Sequence, residues 1–229
     1  MTAAVLVVTL FLTAFNGPQT NPVSAVAPAP AQRLLPAGAP QPLVIAKLGS
    51  LRLELPIPTS RVTAIGFHGA GPGALALDPV GRQGNEGLLA RLGRKLFGSG
   101  GTGPIWYQLG GGGGPQTSGL DVGAAPGTDV YSPVDGRIVG LTPFVLNGRP
   151  FGVRIDIQPA NAPSVVVSLT HLDALGSLSV GSTVSASTTR LGTVIDLSGV
   201  ERQSLAQHTN DAGNHVAIEA HTAATLSLN

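Results

Sequence analysis

Beyond Thr117 the sequence is a succession of short β-forming runs set apart by glycine and proline: LDVGA, VYSPV, GRIVGL, GVRIDIQP, SVVVSLTHL, RLGTVIDL and NHVAIEAH. Strand-like runs at this density argue for an antiparallel β-sandwich or barrel-like core rather than a helical domain. The 32 glycines and 19 prolines point the same way, because both residues suit turns and interrupt long helices. One helix is expected within this half. In SGVERQSLAQH, Ser198 and Glu201 fit a capping box, with Leu205 and Ala206 facing inward and His208 at the C-terminal end, where the helix dipole suits an imidazole.

The front half is organised differently. Residues 3–15 form an apolar run too short to span a bilayer comfortably and of the length of a signal-peptide core, and Ser24-Ala25-Val26-Ala27 offers small residues for cleavage. Residues 1–27 are therefore expected to be a signal peptide or N-terminal anchor, residues 28–42 a Pro/Ala-rich linker, and residues 43–114 an N-terminal extension before the β domain of 115–229. Within the extension, LVIAKL, LRLELPI and RVTAIGF read as a short antiparallel group, and GNEGLLARLGRKLF (84–97) as a helix. Five consecutive glycines, 110–114, are either flexible or must fit against another surface.

Charge and composition exclude several functions. The chain has 13 basic and 12 acidic residues and 4% aromatics, with no basic-aromatic stripe, so nucleic-acid binding has no support. With no cysteine, neither disulfides nor a thiolate metal site is available. No P-loop and no Gly-x-Ser-x-Gly elbow occurs.

Three polar positions in the β-rich half stand out: Asp121, His171 and His215. One carboxylate and two imidazoles on strands are the side chains of a zinc site or a general-base pair. Three strings containing them, GLDVGAAPGTDVYSPVDGRIVG, VVSLTHLDALGSLSVGSTVSASTTRLGTV and NHVAIE, resemble, in order, segments of the lysostaphin/LytM-type zinc endopeptidases, which cut peptide cross-links in bacterial cell walls. The resemblance spans about residues 117–221. It implies a mainly β fold with the antiparallel core of the duplicated-hybrid-motif kind, here preceded by a short β/helix extension.

That family holds zinc through a His four residues before the Asp, through the Asp, and through the second His of a His-x-His pair. Here Asp121 matches, but Thr117 and Ala217 stand at the two other ligand positions, while His171 and His215 match the assisting, catalytic histidines. Catalytic zinc needs about three protein donors and an open position. The implied protein is a degenerate member with no cofactor. It is expected to be exported to the cell envelope, to touch a membrane only through its N-terminal segment, and to serve as a peptidoglycan-binding or regulatory module toward peptidoglycan or an envelope protein. Two alternatives stay open. One is an active metalloendopeptidase whose zinc site is completed by Thr117 through water or by His68; the other is a structural or assembly module. His68, in the Gly-rich GFHGAG, reads on its own as a surface turn residue, and His221, roughly 13 Å along the strand from Ala217, as too distant to share a metal.

Overall fold

In the computed structural model, residues 38–87 and 103–225 are described. The expected helix at 84–97 falls largely outside them, as do residues 1–27 and most of the 28–42 linker. The described residues belong to one compact unit.

The front half supplies six strands: β1 (Val44–Leu48), β2 (Leu51–Glu54), β3 (Ile65–His68), β4 (Asp78–Pro79), β5 (Arg82–Gln83) and β6 (Ile105–Gln108). The remainder supplies β7 (Gly119–Gly123), β8 (Asp129–Tyr131), β9 (Gly136–Leu146), β10 (Arg149–Pro159), β11 (Val165–Ala174), β12 (Thr183–Val184), β13 (Arg190–Val194) and β14 (His215–Thr222). Each β-type run picked out beyond Thr117 forms a strand. A small sheet has the order β2-β1-β4, and a large one runs β12-β9-β10-β11-β14-β7-β3-β6-β5, with β13 and β8 joined to it through β11. Pairing is antiparallel except that β6 lies parallel to both β3 and β5.

Alternation along the central strands divides the large sheet into two faces. Leu120 and Val122 of β7, Val216, Ile218 and Ala220 of β14, Val167 and Leu169 of β11, and Ile155 and Ile157 of β10 are wholly buried on one face. They share a core with Ile45, Leu51, Leu53, Leu55 and Ile57 from the front half. Residues 43–114, set apart in the sequence reading as an extension, therefore contribute core side chains, and β3 hydrogen-bonds directly to β7. The β1–β2 pair forms the antiparallel group expected there, but RVTAIGF leaves it for the large sheet.

Two local features shape the other face. The β9–β10 hairpin turns at Asn147-Gly148, both with positive φ (50° and 76°), as a two-residue turn matching strand twist requires. The expected helix at 198–208 is instead a 3-10 turn at Ser204–His208. The proposed cap is otherwise engaged: the Ser198 hydroxyl and N–H both donate to Asp196 Oδ1, at 2.6 and 3.0 Å. Leu205 does face inward and is fully buried.

Candidate functional site

The polar face forms a groove whose floor follows from strand register. Thr170 (β11), Ala217 (β14), Asp121 (β7) and Gly66 (β3) lie in one row across four strands, and Ser168, Glu219, Gly119 and His68 in the next. Phe144 and Arg154 bound the groove on the hairpin side, and Gly110–Gly112 with His68–Ala70 on the other; the cavity is about 440 Å³.

His171 reaches this floor through a bulge. Regular alternation after Thr170 would send it into the core. Between the pairs Val153–Leu172 and Ile155–Leu169, β11 carries one extra residue, and His171 takes φ 63°. An inserted residue in the left-handed region re-aims a side chain. Thr170 and His171 both line the groove, and Leu172 returns to the core. The His171 ring meets Phe144 edge-on at 4.9 Å and His215 at 4.6 Å between centroids.

His68 reaches the site as well, contrary to its reading as a surface turn residue. Its Nε2 lies 3.2 Å from Asp121 Oδ1, although the two are 53 residues apart. The ring crosses Gly119, where a Cβ would fall 2.5 Å from His68 Cε1. Only glycine at that position leaves room for the imidazole. No local pattern signals this contact; the absent side chain in GLDVG is its one trace in the sequence.

Contacts then run end to end from His68 to His171. Asp121 Oδ1 lies 3.5 Å from His215 Nε2, and His215 Nε2 lies 3.0 Å from His171 Nδ1. The outer nitrogens are pinned by backbone: His68 Nδ1 faces the Gly69 carbonyl and His215 Nδ1 the Gly213 carbonyl, each at 2.9 Å. The hydrogen bond to Asp121, against the opposing effect of burial, pushes His68 up to about 9. Burial alone would raise the Asp121 carboxyl, but His215 and the hydrogen bond and charge of His68 hold it below the usual carboxylate range. Burial, with the neighbouring His215, pushes His171 down to about 3.

Sequence reasoning thus named three residues, Asp121, His171 and His215, that the fold brings together, and held the fourth, His68, only as an alternative beside its reading as a surface turn residue. Thr117 stands before β7, its carbonyl accepting the Leu77 N–H. Ala217 presents a methyl group directly between Thr170 and Asp121. His221 pairs with Glu219 at 2.9 Å, and His208 stacks on Tyr107 at 4.3 Å, with burial pushing its pKa down.

Zinc asks for three donors about 2.0–2.2 Å from one point. Among the described residues no group of three or more His, Cys, Asp or Glu side chains is placed to hold a metal ion. His68 Nε2 and His215 Nε2 both face Asp121 Oδ1, at 3.2 and 3.5 Å, and no buried side-chain polar atom among the described residues lacks a partner.

No family model matches this sequence, and no curated protein matches it. Solved structures do. Helicobacter pylori Csd3 in its hexagonal crystal overlaps 78% of this chain and 32% of its own at 16% identity and TM-score 0.38. Lysostaphin overlaps 52% of this chain and 45% of its own at 18% identity and TM-score 0.36. The M23 metalloprotease pseudoalterin, from the deep sea, overlaps 76% of this chain and 72% of its own at 15% identity and TM-score 0.38. The chain spans less than half the length of the Csd3 and lysostaphin structures. At such similarity, the reading of the site rests on its own residues.

Proposed function

We propose that this protein is an exported cell-envelope protein whose β domain is a non-cleaving relative of the lysostaphin-type peptidases, and that its groove binds cell-wall peptide. The observation that carries this reading is Ala217, on the groove floor beside Asp121 in the place where the family resemblance expects an imidazole. Hydrolysis by that family's route needs a metal to lower the pKa of a bound water to about 7. Without a metal, His171 and His215 would have no such water to act on. What remains is an open groove with Thr170, Glu219 and Arg154 along it and glycine backbone on one side, which would suit an extended peptide.

The test is retention of the full chain on purified peptidoglycan at modest salt, alongside a peptide-release assay, each with and without a chelator. Retention that is indifferent to chelator, with no release of cross-link peptide, is expected. Chelator-sensitive release would replace this reading with the metalloendopeptidase one, for which His68 beside Asp121 is the supporting observation. Absence of retention under every condition would leave the structural module.

A further inference from the structure

A second polar cluster lies beside the histidines, on β10 and β11. Arg154 and Asp156 are two residues apart on β10 and so share the polar face of the sheet. Asp156 pairs with Ser168 of β11 on one side and with Gly140 of β9 on the other. A Cβ at Gly140 would fall 2.7 Å from Asp156 Oδ2, so this glycine leaves the space in which the buried carboxylate lies. The Ser168 hydroxyl, itself buried, donates to Asp156 Oδ1 at 2.6 Å. Arg154 Nε–H donates to the same oxygen at 2.8 Å, and Nη2–H donates to Ser168 Oγ at 2.9 Å. The three side chains close a ring of hydrogen bonds that holds the guanidinium along one edge.

Neutralising a buried carboxylate needs no more than a positive charge beside it. A guanidinium offers more, because it carries five N–H donors in a planar fork. The bonds to Asp156 and Ser168 use its Nε–Nη2 edge, and the other three donors meet no partner among the described residues. The side chain is 32% exposed and lines the groove on the side that Phe144 bounds. An arginine already held by a buried carboxylate loses little freedom on binding, and its free Nη1–Nη2 edge matches the two oxygens of one carboxylate.

We propose that Arg154 is a carboxylate-binding residue of the groove, and that the groove's ligand is a peptide presenting a carboxylate there, from its C-terminus or from an acidic side chain. This rests on the reading of the groove as a peptide site and names the chemical class of peptide. Charge balance favours a carboxylate over a phosphate. Asp156 already offsets the guanidinium, and Asp121 and Glu219 line the same groove, so a monoanion with two matched oxygens fits where a dianion is repelled. Arg202 also lines the groove, but it is exposed beside the Ser204–His208 turn, which makes it the control for charge alone.

The full chain, labelled with nitrogen-15, is titrated at fixed ionic strength with four probes: N-acetyl-Ala-Ala, the C-terminal amide of that peptide, N-acetyl-Ala-Glu-Ala amide, and inorganic phosphate. The Arg154 Nε–H signal and the Ser168 and Thr170 amides are the readout. Saturable shifts with one or both carboxylate peptides and none with the uncharged amide are expected, the tighter of the two naming the source of the carboxylate. Arg154→Gln is expected to weaken binding about tenfold or more. Arg154→Lys keeps a charge beside Asp156, and with it the urea midpoint, yet loses the fork and is expected to weaken binding about threefold or more. Arg202→Gln is expected to leave binding unchanged. No saturable shift with either carboxylate peptide, equal shifts with the uncharged amide, tighter binding of phosphate, full affinity in Arg154→Lys, or equal losses in the 154 and 202 variants would each overturn the proposal. Retention on peptidoglycan reports on the groove reading and these titrations on Arg154, so either can fail alone.

Discussion

At the scale of single residues, the site holds two histidines shifted in opposite directions, and this gives stability a defined pH dependence. His68, facing Asp121 and more distantly Glu219, is raised from 6.5 to about 9. Its contribution is fully present below pH 6.5 and is lost as pH rises through 9, because the folded state gives up that proton last. His171, packed among His215, Asp121 and Phe144, is lowered to about 3. The unfolded chain takes up its proton first, so stability falls as pH drops from 6.5 toward 3. The urea midpoint is expected to peak near pH 6.5, with His68→Gln flattening the limb between 6.5 and 9. An alkaline limb that survives this substitution would sink the account. Asp121, His171 and His215 were legible because each sits inside a recognisable string. His68 was legible only as an open alternative, because its contact depends on strand pairing across 53 residues and on a side chain that Gly119 lacks.

At the scale of elements, strands were legible from composition and alternation, whereas irregularities that tertiary contacts impose were not. The β11 bulge is one case: alternation alone sends His171 into the core, and only the extra residue returns it to the groove. The helix expected at 198–208 is another, since Asp196 takes the Ser198 hydroxyl that would have capped it. The glycine tract resolves into positions with different roles. A Cβ on Gly112 (φ 73°) would overlap the Gly69 carbonyl oxygen, whereas Gly111 (φ 98°) and Gly113 have nothing within 4 Å, and Gly113 is not at positive φ. An alanine scan is expected to leave Gly113→Ala within about 0.5 kcal/mol of wild type. Gly111→Ala should cost about 1 kcal/mol for its backbone alone, and Gly112→Ala clearly more, because backbone must move. Chemical denaturation reads the order directly, and equal costs at 112 and 113 would show that the tract is merely loose.

At the scale of the whole molecule, the apparent boundary near residue 115 marks a change in sequence texture more than a change in packing. Ile45, Leu51, Leu53, Leu55, Ile57, Phe67 and Leu77 are at most 1% exposed, and all join the core beneath the groove. At about 1.5–3 kcal/mol for each buried side chain of this size, their joint contribution is on the order of 10 kcal/mol or more. That is comparable with the whole net stability of a typical domain, roughly 5–15 kcal/mol. Hydrogen bonds also tie the halves together: Glu54 N–H to the Pro133 carbonyl, Tyr131 N–H to the Pro56 carbonyl, and the Ser187 hydroxyl to Glu54 Oε2, at 2.7–2.8 Å. A fragment of residues 115–229 is therefore expected to lack a cooperative urea transition and to bind a hydrophobic dye, while a chain beginning at residue 38 unfolds in one step. A cooperative transition in the short fragment would separate the front half from the fold. It would also make His68 an addition to a domain already complete, rather than a part of the sheet on which the groove is built.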